Sequence, residues 1–148
     1  MMKRAINQYK NVSVESALEG ASSYEITKKL FEGCLVFLKQ AKIAIDKKDY
    51  EKKAFHISRS EAIITTLASS LDKSEDLEVA ENLERLYDFC LNQLIEASIE
   101  MNSEKVLSAE YVMRQIKEGW ESIPAEEVLK AELLRKSRQQ DKVASGDV

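Results

Sequence analysis

Four stretches of this chain repeat apolar residues at steps of three and four, with little to interrupt them. The cleanest is Ala80, Leu83, Tyr87, Cys90, Leu94, Ala97, Met101. Such steps return a side chain to one face of an α-helix, whereas a strand needs a period of two. The spacing recurs in Val106, Ala109, Met113, Ile116, Trp120 and Ile123. It recurs in Tyr50, Ala54, Ile57, Ile64, Ala68 and Leu71, where Glu61 breaks the series. The first stretch, Ile26, Leu30, Gly33, Phe37, Ala41, Ala44, is doubled by an adjacent face of Phe31, Leu35 and Leu38. A surface helix ordinarily carries one apolar stripe. This one is therefore either covered on two sides at the centre of a bundle or leaves a face open for a partner.

Punctuation sets the boundaries. Four Gly and one Pro in 148 residues leave room for long helices. Residues 1–20 carry scattered anchors (Ile6, Tyr9, Val12, Val14, Leu18) and read as a mobile N-terminal arm ending at Gly20. Ser22 with Glu25 fits a capping box for a first helix running to about Lys47. Asp49 can cap a second helix that ends near Leu71, and 72–76 is a charged connector. A third spans about Leu77 to Met101, and Asn102-Ser103 closes it and caps a fourth. Gly119 beside Trp120 leaves room for the indole. Pro124 breaks the chain, and Ser122 is placed to cap a fifth, shorter helix from Ala125 to about Gln140. The expected fold is all-α: an antiparallel up-down four-helix bundle over 21–123, preceded by the arm. A short C-terminal extra helix and a frayed tail occupy 124–148.

Composition narrows the chemistry. A net charge of −4 argues against nucleic acid as partner. The apolar run at 30–38 is far below spanning length and nothing resembles a signal peptide, so no stable membrane insertion is expected and the default address is the cytoplasm. Cys34 and Cys90 lie among apolar residues and read as buried thiols. One histidine, His56, rules out a di-iron bundle built on two Glu-x-x-His motifs. No Gly-rich phosphate loop is present. No residue is assigned to catalysis, a metal or a cofactor, and the chain is not expected to be an enzyme. His56-Ile57-Ser58-Arg59-Ser60 does resemble the segment around a phosphotransfer histidine, which keeps a histidine phosphotransfer domain as one alternative. A helical adaptor for another partner is the second.

Five pieces in register carry a closer resemblance. They are Gln8-Tyr9-Lys10-Asn11-Val12-Ser13-Val14 leading to Ala21-Ser22, and Leu30-Phe31-x-Gly33-Cys34-Leu35-x-Phe37. Next come Ala62-Ile63-Ile64 continuing through Leu67 to Leu71-Asp72, and Asn82-Leu83-x-x-Leu86-Tyr87-x-Phe89 continuing to Leu94-Ile95-x-Ala97-Ser98. The last is Lys117-Glu118-Gly119-Trp120. Over about residues 5–123 the chain resembles the flagellin-specific export chaperones, the FliS family. Gln8 stands where the family usually has Ala, and Ser23 where it usually has Pro. The resemblance implies a non-enzymatic flagellar export chaperone. It would bind the disordered C-terminal segment of flagellin, prevent premature polymerisation and deliver the subunit to the flagellar export gate. It also implies that Tyr9 and its neighbours cover part of the binding surface when the client is absent.

The residues suit that role. A bundle with surplus apolar faces can bury a client helix in a groove. The candidate client-binding residues are Tyr9, Val12 and Val14 on the arm, and Phe31, Leu35 and Leu38 on helix 1. Ile63 and Leu67 on helix 2, with Leu86 and Leu91 on helix 3, complete the set. An apolar patch of this kind also implies weak self-association, which the arm would limit.

Overall fold

The computed structural model describes residues 23–74 and 76–145, with the backbone alone at 139 and 142–145. Tyr9, Val12, Val14 and the Ser22 cap lie outside the described residues. Five helices follow in order, and no strand occurs among the described residues: α1 Ser23–Asp46, α2 Tyr50–Ser69, α3 Leu77–Glu100, α4 Ser103–Glu121 and α5 Ala125–Ser145. The chain divides into two compact units. One is Lys28–Ser122; the other takes the described residues of Met1–Thr27 and Ile123–Val148.

Side-chain oxygens start three of the helices. Asp49 accepts the Lys52 N–H at 3.2 Å, Asp76 the Val79 N–H at 3.2 Å and Asn102 the Glu104 N–H at 3.0 Å. Each satisfies an amide that the helix itself leaves unpaired. Met101 ends α3 in the left-handed conformation, φ 52°, with its N–H on Ala97 O. That turn lets α4 begin two residues later. Lys47 and Lys48 fall just past the end of α1, and Lys48 is left-handed too, φ 56°.

Within Lys28–Ser122 the four helices α1–α4 close into a ring, antiparallel through short links. Gly33 of α1 lies against Ile63 of α2, where a Cβ would stand 3.7 Å from Ile63 Cδ1. Lys53 Nζ of α2 donates to Ser98 O of α3 at 3.1 Å. Lys105 of α4 pairs with Glu96 and Glu100 of α3 at 2.6 and 2.8 Å. Lys42, helped by Ser103 of α4, lowers the pKa of Asp46 of α1, and Lys117 of α4 feels the charge of Glu32 of α1.

The core is one stripe from each helix. α3 supplies Ala80, Tyr87, Cys90, Leu94 and Ala97, and α4 supplies Val106, Ala109 and Met113, as their spacing predicts. Two stripes differ from expectation. On α1 the core stripe is Phe31, Cys34, Leu38, Ala41 and Ile45, with Ala44 beside it, so it takes Phe31 and Leu38 from the second expected face and Ala41 and Ala44 from the first. Leu30, Gly33 and Phe37 are only half-buried. Counting Cys34 as a core position gives unbroken steps of three and four. On α2 the stripe is Ile57, Ser60, Ile64 and Leu67, while Tyr50 and Ala54 are exposed. Ser60 is fully buried because its hydroxyl donates back to His56 O at 2.9 Å, so it packs as a small residue with its polar atom satisfied.

Two smaller expectations also change. Ser122 closes α4, its hydroxyl on Gly119 O at 2.8 Å, and does not open α5. α5 runs for 21 residues, past the expected end near Gln140.

Glu61, next to Ser60 on the rim of the α2 stripe, is half-buried, and desolvation holds its carboxyl above the usual range. Below the unfolded-state pKa the group is protonated in both states and costs nothing. As pH rises through the raised folded-state pKa, stability is lost. Glu61→Gln should therefore raise Tm by about 1–3 °C at pH 7 and leave it unchanged near pH 3, measured by thermal circular dichroism. An equal gain at both pH values would mean that ionisation plays no part.

Candidate client-docking surface

The seams between neighbouring helices differ in kind. Between α3 and α4 the α3 side is the stripe Leu86, Phe89, Gln93, Glu96, Glu100, whose steps are three and four. Its charged end is fixed by Lys105, which places the other end along the same seam. Leu86 and Phe89 there are 41% and 42% exposed. Facing them, α4 offers half-buried Val112 and Ile116 and, at the far end, bare Gly119. An open apolar seam that ends at an exposed glycine suits a docked side chain or helix.

The α1–α2 seam is aromatic. Phe37 lies 6.4 Å from Phe55 and 6.0 Å from His56, and Phe55 meets His56 edge-on at 5.1 Å. The Arg59 guanidinium sits 5.3 Å from the Phe55 ring centre. Phe55 remains half-exposed. His56 Nδ1 is buried and finds no hydrogen-bond partner among the described residues. Burial first, and then the charge of Lys52, lowers the His56 pKa. The ring serves as a neutral packing group, and the seam offers the phosphotransfer reading no further support.

On the α2–α3 seam, Ile95 and Ile99 stand one turn apart with half-buried Leu91 before them, and Ile99 is 78% exposed. Tyr50 and Ala54 lie on the adjoining edge of α2, with Lys53 Nζ 5.5 Å from the Tyr50 ring. The α4–α1 seam is charged instead: Lys42–Asp46 at 2.8 Å, Lys117–Glu121, and Glu32 near Lys117. Three seams are therefore lined mainly by apolar side chains, and charged groups gather along the fourth, beside half-buried Leu35.

A model of the family described as flagellar protein FliS matches residues 5–127, most of the chain. The chain belongs to the FliS family. A flagellar secretion chaperone FliS of Vibrio cholerae is 32% identical over 125 residues, covering 84% of this chain and 92% of that relative. FliSB of Pseudomonas aeruginosa, also named a flagellar secretion chaperone, is 29% identical over 81% of this chain and 95% of its own. The namesake in Salmonella typhimurium is 31% identical, with shares of 80% and 88%. These relatives are named chaperones, a non-enzymatic role.

Within this FliS-family bundle the expected client residues separate by position. Phe31, Leu38 and Leu67 are core, 2% exposed or less, and the closed bundle offers them to no partner. They sit on the stripes that hold α1 and α2 to the others. Leu35, Ile63 and Leu91 are half-buried at the seams, and Leu86 is exposed. Phe89, Ile95, Ile99, Phe55 and Val112 line the same seams and were not singled out from sequence. Their signal was present: apolar residues falling just beside an already complete core stripe. No helix among the described residues is long and apolar enough to cross a membrane. No group of three His, Cys, Asp or Glu side chains among them could hold a metal.

The two thiols are structural. Burial pushes both Cys34 and Cys90 up to about 12, and Cys90 Sγ lies 3.7 Å from Ala109 O. A thiol with that pKa has almost no thiolate at neutral pH. Both should resist a disulfide thiol reagent for as long as the bundle is folded and react within seconds in denaturant. Rapid labelling of the native protein at pH 7 would contradict this packing.

Proposed function

We propose that this protein is a cytoplasmic flagellar export chaperone that binds the disordered C-terminal segment of flagellin, prevents its premature polymerisation and delivers it to the export gate. Family membership supports the general role. The observation that carries the client reading is the set of exposed apolar side chains along three seams of a bundle whose core is already complete. A segment that becomes helical in a filament exposes apolar residues as a monomer. An extended and partly helical chain laid along these seams buries them, as an amphipathic helix does in a groove. Coupled folding and binding of this kind buries on the order of 1,000–3,000 Å².

The α3–α4 seam is the principal site, with Leu86, Phe89 and Val112 as anchors. Leu35, Ile63 and Leu91 extend the surface onto neighbouring seams. The arm contributes Tyr9, Val12 and Val14 as an intramolecular stand-in that covers apolar surface until the client displaces it. A tyrosine suits that task, since it buries a large ring and keeps one polar contact.

Calorimetric titration with a synthetic flagellin C-terminal peptide should show one-to-one binding and no turnover. Leu86→Asp with Phe89→Asp should weaken it at least about tenfold, the expected effect of losing a buried anchor pair. Tyr111→Asp, on the outer face of α4, should leave affinity within about twofold. Absence of binding by the unaltered protein, or equal loss in all variants, would overturn the assignment.

A further inference from the structure

α5 lies almost wholly beyond the family match, which ends at residue 127, and its outward face has no role in the client reading. Its inner edge is half-buried: Val128, Glu132 and Arg135. Glu132 Oε1 accepts the Tyr24 N–H of the first turn of α1 at 3.2 Å, and Glu132 Oε2 accepts Arg135 Nε and Nη2 at 3.1 and 3.0 Å. A carboxylate at the positive end of a helix is favourable there, and this one fixes which way α5 turns. Leu129, Leu133 and Leu134 are then left 62%, 58% and 54% exposed on the opposite side.

Charge along α5 is split. Residues 125–134 hold Glu126, Glu127 and Glu132 against Lys130 alone, whereas 135–145 hold Arg135, Lys136, Arg138 and Lys142 against Asp141 alone. A helix polarised in this way complements a second copy of itself run in the opposite direction and repels one run in the same direction. We infer that α5 is a self-association element, pairing antiparallel with α5 of a second copy. The pairing sets Leu129 of one copy against Leu133 and Leu134 of the other, and Glu126 and Glu127 opposite Lys136 and Arg138, twice by symmetry. A membrane surface fits the helix less well, because its acidic start would face anionic headgroups. Three leucines a side make far less than a standard interface of about 1,600 Å². The dimer is accordingly weak and forms at about 10–1,000 µM.

Sedimentation velocity on the full chain, from low micromolar to about 1 mM at low salt, tests this. The unaltered protein should shift from monomer to dimer across the series. Leu129→Gln with Leu133→Gln should stay monomeric with unchanged helicity. The variant pair Glu126→Lys/Glu127→Lys and the pair Lys136→Glu/Arg138→Glu should each be monomeric alone and should form a heterodimer when mixed. An unaltered chain that stays monomeric throughout overturns the inference. So does a dimer that persists in the leucine variant, or charge variants that fail to pair on mixing. Peptide binding is read separately on the bundle, so either result leaves the client reading intact.

Discussion

The bundle depends on how closely its helices approach, and small side chains set that distance. Cys34 and Ala41 on α1, Cys90 and Ala97 on α3, Ala109 on α4 and Ser60 on α2 are all fully buried. They alternate with Phe31, Leu38, Ile64, Leu94 and Met113, so that large groups fill the space small ones leave. The 3.7 Å approach of Cys90 Sγ to the Ala109 carbonyl shows how near α3 and α4 lie. A core packed this tightly has room for one stripe per helix. Many of the further apolar residues on the same helices are displaced to the seams.

That displacement links stability to the proposed activity. Leu86, Phe89, Ile95 and Ile99 add nothing to a core that is already sealed, and exposing them leaves apolar surface uncovered in water. A soluble chain tolerates such patches where a partner covers them. The α4–α1 seam shows the contrast: Lys42, Asp46, Lys117 and Glu32 gather along it, whereas on the α3–α4 seam the charges of Lys105, Glu96 and Glu100 are confined to one end. A bound apolar segment is favoured on the sides where such residues dominate.

Much of the fold was legible because helical spacing is robust to single exceptions. The stripes of α3 and α4 and the caps at Asp49 and Asn102 follow directly from residue type and position. The face of α1 was harder. With apolar residues at nearly every position from 30 to 38, two registers compete, and only the surroundings decide that Phe31, Cys34 and Leu38 point inward. On α2 Ile57 and Ile64 were placed correctly, but a buried serine looked polar and Ala54 and Tyr50 looked apolar, so pattern alone missed Ser60 and extended the face too far towards the N-terminus; the back-bond to His56 O removes Ser60's polarity from the account. Seam residues were legible only in part, since a residue beside the stripe has the same composition signal as one within it.

The central claim is that a client meets the seams and leaves the core stripe closed. Methyl NMR on the protein with leucine and isoleucine methyls labelled separates the two in a single titration with a flagellin C-terminal peptide. The account predicts large shifts at Leu86, Leu91, Ile95 and Ile63, and small ones at Leu38, Ile64, Leu67 and Leu94. Large shifts at the second group with none at the first would contradict it, because binding would then require the bundle to open.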